Sequence, residues 1–249
     1  MGCSQGDLCW RQESAEAPRH EVTLPAFCVE RFEVPLEDYR SCLNDGVCAV
    51  EPLTSQDDDF CNWSSTPGGN ELHPINCISW SAARSYCQGW MGGDLLSEAE
   101  WEMAARGTQA LVYPWGDTPE PSCDRCNFDV NGADASDTKG CGKVSMGPAT
   151  WTTHDDNNGA LGASPCGARD MAGNVHEWVL DCFDPFFYTT CSGGCEDPVN
   201  LCGDDGQRVI RGGAFSTINP DYLRAVWRGS LYPDEASPAV GFRCRHPAQ

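Results

Sequence analysis

The stretch Asp170-Met171-Ala172-Gly173-Asn174-Val175-His176-Glu177-Trp178-Val179 sets the tightest limit on how this chain folds. A small-residue turn, Ala172-Gly173-Asn174, runs straight into an alternating strand, and the glycine permits the sharp bend. Alternation sends Val175, Glu177 and Val179 to one face and His176 and Trp178 to the other. A carboxylate sharing a face with two valines needs a counter-charge or a ligand. Either Glu177 pairs with an arginine such as Arg211, or it joins turn carbonyls of Gly173 and Val175 in holding a hard cation.

Cysteine supplies the second constraint. The chain has 17 in 249 residues, a density that belongs to an oxidising compartment. Most are expected in disulfides, with Cys42 and Cys48 close enough across a turn for a local bridge and Cys191/Cys195 similarly spaced. An odd count leaves at least one thiol free or joined to another molecule. The net charge is −21, with Lys139 and Lys143 the only lysines, which argues against nucleic acid and anionic membrane as partners. It suits a secreted protein, or one whose carboxylates are offset by calcium. No stretch of apolar residues is long enough for a membrane span. No signal peptide is visible, so a secreted, periplasmic or cell-surface location implies that an export signal was removed upstream.

Twenty-six glycines and 17 prolines predict a turn-rich fold with few helices. Val22–Leu24 and Phe27–Val29 read as short strands. Pro35 opens a short helix from Leu36 to Leu43. Ser79 caps a helix from Trp80 to Gln88, and Ser97-x-x-Glu100 is a capping box for a helix from Glu98 to Arg106 that Gly107 stops. These last two are the main helices. Asp129 to Asp137 is an oxygen-rich loop without EF-hand spacing. Residues 182 to 207 read as a cysteine- and glycine-rich insertion, and closing strands are expected at Val209–Phe215, Tyr222–Arg228 and Val240–Cys244. Asn62-Trp63-Ser64 fits a glycosylation sequon. Loop tryptophans Trp63 and Trp151 are candidates to line a groove for sugar or peptide.

Asp170 to Trp178 resembles the signature of the formylglycine-generating enzyme, or sulfatase-modifying factor, family. Further blocks follow in family order: Pro18-Arg19-His20-Glu21-Val22, Arg31-Phe32-Glu33-Val34, Ser97 to Gly107, Tyr113-Pro114-Trp115-Gly116, Arg211-Gly212-Gly213-Ala214-Phe215 and Gly241-Phe242-Arg243-Cys244. The resemblance implies one α+β domain over residues 1–249 with a C-type-lectin-like architecture: short mixed strands, two main helices, long loops and many disulfides. It implies a bridge between Cys87 and Cys244. It also implies two calcium sites, one at Gly173, Asn174, Val175 and Glu177, the other at Asn127 and Phe128 with Asp137 or Asp134.

Enzymes of that family hold copper on two cysteines five residues apart, shortly after Arg-Gly-Gly. Here Thr217 and Tyr222 stand at those positions, and neither hydroxyl replaces a thiolate for Cu(I). Cys123-Asp124-Arg125-Cys126 with Cys141 nearby has spacing for zinc or a redox pair, and for disulfides more readily. The five histidines, His20, His73, His154, His176 and His246, show no metal-ligand grouping. No catalytic residue is assigned, calcium is the expected cofactor, and copper is not expected. Two functions follow. One is an exported, calcium-stabilised, non-catalytic binding domain for a peptide, protein or glycan. The other is a divergent metal-dependent oxidoreductase acting on a peptide or small molecule, with a metal held by His and Asp in a groove under Arg211.

Overall fold

A computed structural model describes residues 1–3, 14–49, 60–129, 141 and 161–248. Three α-helices, four short 3-10 helices and nine short strands make up the regular structure of these residues. Helix α1 runs Leu36–Asn44, α2 Trp80–Gly89 and α3 Glu98–Arg106. In α3 the capping box forms as the sequence predicts: Ser97 accepts from the Glu100 N–H while the Glu100 carboxylate accepts from the Ser97 N–H. Gly107 ends the helix at φ 60°. Ser79 caps α2 through the Ala82 N–H. Pro35 is the N-cap of α1, in extended conformation, instead of its first helical residue.

The strands are β1 Val22–Thr23, β2 Phe27–Val29, β3 Asp94–Leu95, β4 His176–Cys182, β5 Cys195–Glu196, β6 Arg208–Arg211, β7 Gly229–Leu231, β8 Val240–Phe242 and β9 Cys244–Pro247. They form a four-stranded sheet ordered β7-β6-β4-β8, a three-stranded sheet β2-β9-β3, and a parallel pair β1-β5. β4 is central in the first sheet, antiparallel to β6 and parallel to β8. Both its faces are covered. Trp178 packs with Tyr39, Tyr86 and Phe242 beneath α1 and α2, while Val179 packs with Trp101 and Ala105 of α3. Two indole hydrogen bonds tie helix to strand: Trp178 donates to the Ile78 carbonyl (2.9 Å) and Trp80 to the Val179 carbonyl (2.7 Å).

Three expectations for the closing strands are corrected. β6 stops at Arg211, because Gly212 and Gly213 turn the chain at φ 92° and 77°. Tyr222–Arg228 is no strand: Pro220–Leu223 is a 3-10 helix, and Leu223, Ala225 and Val226 are buried in irregular backbone. The segment from Val240 splits into β8 and β9, so it serves two sheets.

Cys42–Cys48 and Cys87–Cys244 are disulfides, as are Cys61–Cys77, Cys123–Cys141, Cys182–Cys202 and Cys191–Cys195. The last two pin residues 182–207. Free thiols among the described residues are Cys28, Cys126 and Cys166. The Cys123-x-x-Cys126 pair is therefore neither a zinc knuckle nor a redox pair.

Gly173 carries the bend before β4 at φ 81°, and a Cβ there would stand 2.3 Å from the Asn127 carbonyl oxygen. Gly173→Ala should cost roughly 2–4 kcal/mol by left-handed strain plus collision. Gly68→Ala, where a Cβ meets open space, should stay within about 0.5 kcal/mol. Urea unfolding of the two variants measures the contrast.

Candidate functional site

The turn before β4 gathers three carboxylates. Glu177 is buried and held by Arg243 in a two-pronged ion pair, Nη2 to Oε1 at 2.7 Å and Nε to Oε2 at 2.8 Å. Trp101 donates its indole N–H to Oε2 at 2.8 Å. The arginine partner is thus Arg243, not Arg211, although Arg211 stands opposite Glu177 in the β4–β6 register. Glu33 accepts from the Asn174 amide and the Val175 N–H. Burial, reinforced by the charges of Asp170 and Glu177, pushes the Glu33 carboxyl well above its ordinary range. Glu33 and Asp170 were not picked out from the sequence as ligands. The signal that would have found Asp170 is its place at the head of the same turn.

Asn127 and Asn174, expected in separate calcium sites, meet here. The Asn127 carbonyl accepts from the Asn174 N–H (2.7 Å), and the Asn127 amide donates to Asn174 Oδ1 (3.3 Å). Phe128 is buried with Val112, Tyr113 and Val226. Asp134 and Asp137 lie outside the described residues, as do Trp151 and His154.

The donor chemistry suits a hard cation: oxygen atoms only, and two carboxylates beyond the one that Arg243 neutralises. Glu177 Oε1 takes a single hydrogen bond, from Arg243, and keeps acceptor capacity. Among the described residues no three His, Cys, Asp or Glu side chains group around one metal position, so a calcium ion here would draw on backbone carbonyls as well.

The second feature is the turn after β6. Thr217 is buried, and its hydroxyl accepts from the Ala214 N–H at 2.9 Å. Tyr222 is 42% exposed and Ile218 55%. The Tyr222 ring lies 5.2 Å from that of Trp227, which in turn lies 5.4 Å from His176. Among the described residues the surroundings of Arg211 are closely packed. That side chain is fully buried, packed over Trp101, and bonded to Glu102 and to the carbonyls of Ala225 and Trp227.

The model of the sulfatase-modifying factor enzyme 1-like domain matches residues 3–247. The chain belongs to the sulfatase-modifying factor family. Its relatives include the formylglycine-generating enzyme of Streptomyces coelicolor, 34% identical over 184 residues, which are 72% of this chain and 54% of that enzyme. The chain thus spans about half the length of that relative. The mouse protein named inactive C-alpha-formylglycine-generating enzyme 2 is 26% identical over 94% of this chain and 79% of its own. PvdO from Pseudomonas aeruginosa shares the fold, with a TM-score of 0.69 at 20% identity, covering 100% of this chain and 90% of its own. The sulfatase-modifying factor fold therefore accounts for the mixed helix and strand architecture.

Two ionisable groups in this domain, the buried Asp181 and the half-buried His176, oppose each other. Burial, with Glu98 beside it, raises Asp181 to about 7, whereas burial lowers His176 to about 4. A raised carboxyl binds its proton in the folded state first, so Asp181 removes stability as pH rises from about 4 to about 7. A lowered imidazole is protonated first in the unfolded chain, so His176 adds stability as pH rises from about 4 to 6.5. Relative to the parent, Asp181→Asn should gain with rising pH and His176→Phe should lose, each by up to about 1.4 kcal/mol per pH unit. Urea midpoints at pH 4.5, 5.5 and 6.5 read both slopes. Arg243→Met, which strands the Glu177 charge, should cost roughly 3–5 kcal/mol at neutral pH in the same assay.

Proposed function

We propose that the chain is an exported, calcium-stabilised and non-catalytic binding domain of its family, recognising a peptide or glycan. The observation that carries the reading is the pair of hydroxyls at Thr217 and Tyr222. One is committed to the Ala214 N–H and the other sits on an aromatic ring against Trp227. Neither supplies the soft thiolate that Cu(I) requires. What replaces the reactive pair is a partly exposed face of Ile218, Tyr222 and Trp227, of the aromatic kind that anchors ligands. The mouse relative whose name calls it inactive supports loss of the reaction with retention of the fold. The disulfides suit an oxidising location, and no helix of the described residues is long and apolar enough to cross a membrane. In this reading calcium sits at the turn of Gly173, Asn174, Val175 and Glu177, drawing on backbone carbonyls beside the one carboxylate.

Plasma mass spectrometry of protein purified without chelator should find calcium and no stoichiometric copper or iron. Calcium added to chelator-stripped protein should raise Tm by several degrees. Incubation with Cu(I), oxygen and a cysteine peptide should consume no oxygen above the buffer rate. Tyr222→Ala should weaken the best ligand from peptide and glycan arrays by about tenfold or more with Tm unchanged. Oxygen-dependent oxidation of the cysteine, or a tightly held transition metal, would give the function to the oxidoreductase reading.

A further inference from the structure

A second site stands apart from the Tyr222 face in its residues. A cavity of about 400 Å³ opens between the end of α1 and the loop after Cys61, lined by Arg40, Leu43, Asn44, Cys48, Trp63 and Ser65 among others. Its size is within the range of small-molecule sites. We infer that it is a carbohydrate subsite that takes one neutral pyranose ring against Trp63.

Both walls are fixed before any ligand arrives. Cys42–Cys48 closes the loop at the end of α1. Cys61–Cys77 lies two residues before Trp63, and Asn62 between them is buried, its N–H on Asn76 Oδ1 and its amide on the Pro74 carbonyl, both at 2.8 Å. Such pre-ordering removes part of the entropy cost of binding. Arg40 packs over Trp63 at 4.6 Å from the ring centroid. It donates two N–H groups to Glu71 and one to the Ser64 carbonyl, each at 2.9 Å. A guanidinium has five such donors, so two have no acceptor among the described residues.

The chemistry of the lining selects the ligand. The indole supplies an apolar wall. Arg40 donates, and Asn44 and Ser65, both exposed, donate and accept. Glu71 neutralises the guanidinium, and the chain's charge of −21 repels anions, so a neutral ligand fits. A ring with one apolar face and a rim of hydroxyls satisfies all of these at once. The sequon Asn62-Trp63-Ser64 offers a covalent glycan as the competing account, but in the folded chain the Asn62 amide is buried and engaged with Pro74. The sugar is therefore a bound ligand and not a modification at Asn62.

The inference deepens the binding-domain reading and rests on it only for the class of ligand. Saturation-transfer NMR with methyl β-glucopyranoside, methyl β-galactopyranoside and methyl α-mannopyranoside tests it on the whole chain. At least one should show transfer strongest at the protons of its apolar ring face, and Trp63→Ala should abolish it. Because Trp63 also packs against the core, the exposed pair Asn44→Ala/Ser65→Ala provides a second variant, expected to weaken binding about fivefold for each hydrogen bond lost at unchanged Tm. Leu201→Ala, a change at an exposed residue outside both faces, should leave the signal intact. Silence from all three sugars, or full binding by the Asn44→Ala/Ser65→Ala variant, overturns the cavity assignment. Loss of the signal in Tyr222→Ala with retention in Trp63→Ala overturns it too, and moves the sugar to the face after β6. Sugar binding here without any ligand at Tyr222 leaves this subsite standing and removes only the earlier assignment of that face.

Discussion

Arg243 is the tie on which the arrangement of segments depends. It is fully buried, and every one of its five N–H groups has an acceptor: both oxygens of Glu177 and the carbonyls of Glu30, Arg31 and Arg169. The central strand, the segment after β2, the turn before β4 and the link between β8 and β9 therefore meet at one guanidinium. Burying two ions costs several kcal/mol each, and the cost is offset only when geometry is good and all donors are used. That condition is met here, so the pair acts as a register pin. A slip by one residue in β4 would place Glu177 on the Trp178 side, away from Arg243.

The same logic recurs around α3. Glu98 binds Arg228 through both oxygens at 2.6 and 2.7 Å and accepts from the Tyr188 hydroxyl. Glu102 receives Arg211, Arg106 and the Gly2 N–H. Burial alone would raise Glu102, but those two arginines hold it down to about 2. Glu16 and Arg224 form a further buried pair at 2.7 Å. A chain with 16 basic and 37 acidic residues thus spends several of its arginines inside. Among the described residues, seven buried arginines stand against eight buried carboxylates, so the interior is close to neutral and the acidic excess of the chain stays at its surface.

How much of this was legible in the sequence depends on the range of the forces involved. α2 and α3 were read with their caps because capping is decided within four residues. The family was visible in blocks such as Asp170 to Trp178 and Gly241 to Cys244, and with it the fold. The partner of Glu177 was not, because strand order decides it: β6 brings Arg211 opposite, yet that side chain runs to Glu102, and Arg243 arrives from the link between β8 and β9. Tyr222–Arg228 looked like a strand because alternating apolar residues also suit irregular backbone packed under a sheet. Cys123 lies nearer in sequence to Cys126 but bonds to Cys141, a choice that local spacing does not encode. The Trp63 cavity was visible only as a loop tryptophan, since its walls come from segments joined by Cys42–Cys48 and Cys61–Cys77.

The turn that opens β4 links this frame to the segment of Ile218 and Tyr222. Asp170 and Asn174 both sit at positive φ, 55° and 64°, a region that Asp and Asn enter at less cost than other non-glycine residues. Asn174 is kept there by bonds on all sides: its N–H to the Asn127 carbonyl, its amide to Glu33, and its carbonyl receiving the Phe215 N–H at 2.7 Å. That last bond fixes the start of the Ala214–Thr217 turn, which the Thr217 hydroxyl closes and from which Ile218 projects. Strain held at one site is thereby converted into position at the next. The turn that opens β4 and the position of Ile218 and Tyr222 are thus coupled through a single backbone hydrogen bond, from the Phe215 N–H to the Asn174 carbonyl.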